Sequence, residues 1–221
     1  MSVVVEGRNL HKFYRTGDDE VFALRDVSLD LSQGEMVALI GASGSGKSTL
    51  LACIAGLDEP DGGYVRVAGS RMSHRTEAAR SQLRCRHIGM LMQSGTLFDH
   101  LTMFQNIRLQ QHLVGTGEDE DVHQLLEKLG LGGQGDKLPT QLSGGEVARG
   151  GLAVALAGGR AVLLCDEPTA ELDTGTEAAI LSQIHRRCDQ GAAALVATHS
   201  EAVARMANRA IHLRDGRVVD G

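Results

Sequence analysis

Gly41-Ala-Ser-Gly-Ser-Gly46-Lys47-Ser48 is the stretch that most narrows what this chain can fold into. It fits the pattern GxxxxGK[ST] in full, with a compact apolar run (Met36–Ile40) leading in and a helical pattern over 47–56 leading out. Glycines let the backbone curl so that successive N–H groups point inward, and the positive end of the following helix adds to the attraction for an anion. Lys47 supplies a point charge for β- and γ-phosphates, and the Ser48 hydroxyl is a ligand for Mg2+. The expected binding residues are Gly41, Ser43, Gly44, Ser45, Gly46, Lys47, Ser48 and Thr49. A plain Gly-rich strand-to-helix turn with an incidental lysine is the competing reading, and the strand–helix context weighs against it.

The rest of the chain alternates short β-like runs with helical ones. Val3–Val5, 21–31, 64–68, 87–93, 161–165, 192–197, 210–214 and 217–219 read as strands. Residues 76–86, 103–114, 121–129, 174–189, 201–207 and the stretch from LSGGE to about Ala157 read as helices. That alternation argues for an α/β fold with a parallel central sheet. Residues 70–145 are mostly helical, with a Gly-rich loop at 130–135.

A length of 221 residues, 42% of them hydrophobic and 23% charged, suits one domain with a core of its own. No apolar run approaches the ~20 residues of a membrane span, and the first residues lack the pattern of a secretory leader, so a soluble chain is expected. The four cysteines lie far apart without a CxxC pair, which favours reduced thiols over zinc or disulfides. A net charge of −6, with two Tyr, four Phe and no Trp, gives little material for binding nucleic acid.

A second site signal is the apolar strand 161–165 ending in Asp166-Glu167-Pro168-Thr169. Acidic side chains at the carboxyl end of a parallel strand face the crevice where ligands bind. There Asp166 would hold Mg2+ through water and Glu167 would polarise an attacking water. A solvated acidic pair opening a turn before Pro168 is the plainer alternative.

Between these two signals lies Leu142-Ser143-Gly144-Gly145-Glu146. Taken alone it is a helix N-cap with Glu three residues on. With the phosphate loop before it and Asp166-Glu167 after it, the chain resembles the ATP-binding subunit of ABC transporters over essentially its whole length. The resemblance implies an α/β P-loop NTPase of the ABC ATPase type: a mostly parallel central sheet, an N-terminal antiparallel β part and a helical subdomain. It implies one domain over 1–221, with 1–92 and 146–221 as the catalytic core and about 93–145 as the helical subdomain. It also implies ATP and Mg2+ as ligands, and a head-to-tail pairing of two such subunits, identical or similar. Ser143, Gly144 and Gly145 of one subunit would then meet the γ-phosphate held by the other. By the same resemblance, Tyr14 stacks on adenine, Gln93 reports γ-phosphate and Mg2+, Asp173 crosses the dimer interface and His199 touches the γ-phosphate. Glu167, His199, Lys47 and Gln93 form the implied catalytic set, and Ser48, Gln93 and Asp166 the implied metal set.

Residues 56–63 (GLDEPDGG) and 95–109 (GTLFDHLTMFQNIRL) resemble the lipoprotein-release and macrolide-export group. That implies an integral membrane permease docking near Gln93–Leu113, and a cytoplasmic location at the inner face of the membrane through that permease. Ile107 and Leu101 are expected to pack inward, with at least one of Phe98 and Met103 lining a groove. Three departures stand out: Val147-Ala148-Arg149 in place of Gln-Gln-Arg, Val154 near the place of a second arginine, and Glu171 in the dimer-crossing loop. The rival class, a non-transport relative acting on DNA or ribosomes, is disfavoured by the roughly fifty residues between Gln93 and LSGGE, the single domain and the acidic balance.

Overall fold

The computed structural model describes residues 2–16, 19–92, 95–115, 122–170 and 172–219. All five residues of strand β7 (Val162–Asp166, numbered below in chain order) are buried, and the four apolar ones divide between two clusters. Val162 and Leu164 join one cluster, Leu163 and Cys165 the other. In β3 (Met36–Ile40), Val37 and Leu39 face the first cluster while Met36 and Ala38 face the second. β8 (Ala193–Thr198) divides in the same way. A strand with period-two side chains and apolar material on both faces is the mark of a parallel sheet covered on both sides.

With β6 (Ile88–Leu91), β9 (Arg209–Arg214) and β10 (Arg217–Val219), these strands form a six-stranded sheet in the order β10-β9-β3-β8-β7-β6. Every pairing is parallel except β9 with β10. The first cluster fills the space to helix α1 (Lys47–Ala55) and to a four-stranded antiparallel sheet, β2-β1-β4-β5. That sheet is built from β1 (Val3–Thr16), β2 (Asp19–Ser32), β4 (Gly62–Val67) and β5 (Ser70–Arg71). The second cluster fills the other face, under α3 (Met103–Val114), α4 (Val122–Lys128), α5 (Gly144–Leu156), α6 (Thr174–Asp189) and α7 (Glu201–Met206). α2 (Glu77–His87) buries none of its residues fully. The mostly parallel α/β sheet with an N-terminal antiparallel part is the architecture expected from sequence. Among the described residues, no helix is long and apolar enough to cross a membrane.

The largest departure is β1. The sequence marks only Val3–Val5, whereas the strand runs to Thr16. Register shifts at Gly7/Leu10, Leu10/Lys12 and Lys12/Phe13 and a left-handed Asn9 (φ 47°) break its alternation, so a period-two reading loses it. None of the four cysteines is joined in a disulfide. Burial pushes the thiols of Cys53, Cys165 and Cys188 up to about 12 each.

α5 lies directly on the sheet where β6 passes beneath it. A Cβ on Gly89 of β6 would run into the Ala155 carbonyl oxygen of α5 and crowd Leu163. Gly89→Ala is therefore expected to cost about 1–3 kcal/mol through overpacking, at roughly 2–4 °C of melting temperature per kcal/mol for a chain of this size. An unchanged thermal melt would show that α5 can draw back from the sheet.

Candidate functional site

The carboxyl ends of β3, β7 and β8 lie side by side, because Ile40 pairs with Thr198 and Asp166 with Ala197 in parallel register. From the end of β3 the chain curls through 41–46 into α1. Gly46 enters the helix at φ 106°, and a Cβ there would run into the Ala23 carbonyl oxygen of β2, so only glycine fits. No side chain caps α1, which leaves the first amides of the helix open to an anion. Lys47, the first residue of α1, is buried. Its Nζ donates to the carbonyls of Gly41 (2.7 Å) and Ala42 (3.2 Å) and lies 3.8 Å from Glu167 Oε1.

Asp166 is buried at the end of β7, and Glu167 follows in left-handed backbone (φ 47°) with its N–H donating to Ala197 O at 2.9 Å. A non-glycine residue in that region is strained and is held there by its surroundings. His199 follows β8, its side chain 76% exposed, with Nδ1 3.1 Å from the Glu167 carboxylate. Phosphate loop, Lys47, Asp166, Glu167 and His199 thus border one cavity of about 600 Å³. Ser43, Gly44, Ser48 and Thr49 also line it, while Ser45 is buried behind the loop.

The far side of the cavity is apolar. Tyr14, 42% exposed, stands there with Val21, Phe22 and Ala23 of β2. The sequence singled out Tyr14 and missed Val21 and Phe22. Their signal was the hairpin register, which sets Tyr14 opposite Val21 and Phe13 opposite Phe22. Also missed was Glu177 of α6. Its Oε1 accepts from Thr169 Oγ1 (3.1 Å) and Ser200 Oγ (2.8 Å), tying the turn after Glu167 to the residue after His199.

Ser143, Gly144 and Gly145 do not line this cavity. They open α5, where Ser143 and Glu146 form a reciprocal cap. The Glu146 carboxylate accepts from Ser143 N (2.8 Å) and Oγ (2.7 Å), which holds its carboxyl below the usual carboxylate range. Asp173 caps α6, accepting from Gly175 N, Thr176 N and Thr176 Oγ1 (2.9, 3.0 and 2.6 Å). Those bonds, the one from the Thr176 hydroxyl first, likewise depress its carboxyl. Arg149 reaches from α5 to Thr176 Oγ1 at 3.4 Å, and Val154 is an ordinary core residue. Gln93 and Glu171 lie outside the described residues.

Beside the nucleotide-sized cavity runs a second one of about 510 Å³, between the end of β6 and α5. Leu91, Met92, Leu97, Val147 and Ala148 line it, together with Glu167 and Ala170. Of the apolar residues in the following loop and helix, Met103 and Ile107 are fully buried and Leu101 half-buried, while Phe98 is 50% exposed. Asn106, buried in α3, fixes that loop by bonding Phe98 N and O, Leu101 O and Thr102 O.

Residues 24–170 match the family model described as ABC transporter. The chain belongs to this family, as one of its ATP-binding cassettes. It is 38% identical over 222 residues to the macrolide export ATP-binding/permease protein MacB of Escherichia coli (strain K12), covering 99% of this chain and 34% of that protein. The chain therefore spans about a third of the length of the curated relatives it matches. Among solved structures it resembles the dimeric bacterial ABC transporter cassette MJ0796 (TM-score 0.92, 31% identity, 98% and 97% of the two chains). It resembles equally the post-hydrolysis dimer of that cassette bound to ADP and Pi (TM-score 0.92, 32% identity, 98% and 97%).

Glu177→Ala would leave the Thr169 and Ser200 hydroxyls without their shared acceptor. The expected cost is about 1–3 kcal/mol, read as an earlier midpoint in urea unfolding. An unshifted midpoint would mean that the two loops hold their places without it.

Proposed function

We propose that this cassette hydrolyses ATP as one of a head-to-tail pair and that the pair drives a membrane permease of the lipoprotein-release or macrolide-export kind. The observation that carries the reading is the convergence of Lys47, Asp166, Glu167 and His199 on one cavity whose floor is the phosphate loop. In this reading the triphosphate lies along the open amides of α1, and Lys47 exchanges its bonds with Gly41 and Ala42 carbonyls for phosphate oxygens. Glu167 accepts a hydrogen bond from the attacking water, and His199, bonded to that carboxylate, orients it and meets the γ-phosphate. Lys47 and the partner's copy of Ser143, Gly144 and Gly145 stabilise the charge on the transferred phosphoryl group.

Ser48 and Asp166 are the residues that would hold the Mg2+ of Mg-ATP, whose chemistry is to neutralise charge on the β- and γ-phosphates. A hydroxyl and a carboxylate, with no cluster of three ligating side chains among the described residues, fit a metal completed by phosphate oxygens and water. Gln93 would reach the same ion. The boundaries 1–92, about 93–145 and 146–221 follow from the same reading, with the second cavity and Phe98 as the permease seat. The names of the MacB relatives join ATP binding and permease in one protein, which supports a permease partner at the inner face of the membrane. An exposed aromatic, Phe98, beside a groove lined in part by Leu91, Met92, Leu97 and Val147 supports the same.

Glu167→Gln keeps the shape of the side chain and removes the charge. Turnover is expected to fall at least ~100-fold while ATP binding stays, with ATP-dependent dimers accumulating on size exclusion. Undiminished turnover would remove Glu167 from the mechanism. Phe98→Glu is expected to keep the melt and ATP binding and to lose co-purification with the permease, since a charge in place of an exposed aromatic that a partner would cover costs several kcal/mol on burial. Retained ATPase stimulation by the permease would move the seat elsewhere.

A further inference from the structure

A ring that serves as a platform for a nucleotide base has to be held at one tilt, and Tyr14 is exposed enough to turn. Its hydroxyl is tied down from a distant part of the chain. Tyr14 Oη donates to Asp58 Oδ2 at 2.7 Å, and Asp58 Oδ1 accepts from Lys12 Nζ at 2.8 Å and from Glu59 N at 2.8 Å. Lys12 is buried, also donates to Glu59 O at 2.8 Å, and lies 5.2 Å from the centre of the Tyr14 ring. Asp61 secures the residues on either side. Its carboxylate accepts from Phe13 N and its own N–H donates to His11 O, both at 2.8 Å. The loop 57–61 that closes α1 is thus knitted to strand residues 11–14, and α1 begins at Lys47 in the phosphate loop.

We infer that Asp58 is a positioning residue for nucleotide binding: through the Tyr14 hydroxyl and the Lys12 ammonium it sets the angle of the ring that receives the base. This rests on the reading of Tyr14 as the base platform. Burial by itself would raise the Asp58 carboxyl, but the bonds from Lys12 and Tyr14 outweigh it and keep the group below its ordinary range, ionised and ready to accept both. Asp58 does not itself line the cavity, so its effect reaches the ligand only through Tyr14, at the base end.

The test compares two probes on the full chain by isothermal titration: ATP, and inorganic tripolyphosphate, which has no base to stack. Asp58→Ala is expected to weaken ATP binding roughly three- to tenfold, the worth of one well-oriented aromatic contact, and to leave tripolyphosphate as it was. Tyr14→Phe, which removes one hydroxyl and keeps the ring, should shift ATP in the same direction. Once Tyr14 is Ala, adding Asp58→Ala should cost nothing more. In steady-state turnover the change should fall on KM with kcat within about twofold. Should Asp58→Ala melt early, Tyr14→Phe and Asp58→Asn carry the test. An equal loss for both probes, or a full Asp58→Ala penalty in the Tyr14→Ala background, would overturn the positioning role. Loss of ATP binding with Tyr14→Ala but with neither Asp58→Ala nor Tyr14→Phe would overturn it alone. If Tyr14→Ala leaves ATP binding intact, the base-platform reading falls and takes this inference with it.

Discussion

Parallel pairing of β8 with β3 on one side and β7 on the other puts three strand ends on a single edge of the sheet. Each end delivers a different chemical part within a few ångströms of the others: the phosphate loop after Ile40, the carboxylates after Cys165 and the imidazole after Thr198. Nothing local to any one strand could do this, since the three segments are far apart in the chain. The bond from Glu167 N to Ala197 O continues the ladder one step past β7 and keeps Glu167 in its left-handed conformation. The ion pair of Lys47 with Glu167 and the contact of Glu167 with His199 follow from that register.

The same edge shows how strain and support divide. Glu167 is kept out of relaxed backbone between Lys47 and His199, and hydrogen bonds tie the residues that follow it. Glu177 joins the turn that follows Glu167 to the loop that carries His199. Asp173 fixes the start of α6 from which Glu177 projects. On the other side of the cavity, Asp58 does for an aromatic ring what Glu177 does for these loops.

The elements legible in the sequence are those whose ends are chemically marked. α6 runs over 174–189 as read, because Asp173 caps it. α3 runs over 103–114 as read, between the cap of Thr102 with Gln105 and a left-handed Gly115. The phosphate loop and Asp166-Glu167 were legible because their chemistry is written in consecutive letters. Ser143 and Glu146 were legible twice over, as a helix cap and as part of a family pattern, and the cap is formed. What escaped depends on distance in the chain. The bulges of β1 hide its length, Val21 and Phe22 matter only through their register with Tyr14, and Asp58 meets Tyr14 across 44 positions. Met103 and Phe98 look alike on paper as candidates to line a groove, yet Met103 is core and Phe98 exposed.

The two cavities beside the catalytic edge have residues in common. Glu167 and Ala170 line both the groove between β6 and α5 and the nucleotide-sized cavity. They act as a party wall between two rooms, one open to nucleotide and one to whatever occupies the groove. A substitution at either residue therefore reshapes two surfaces at once, with no element in between to separate the effects.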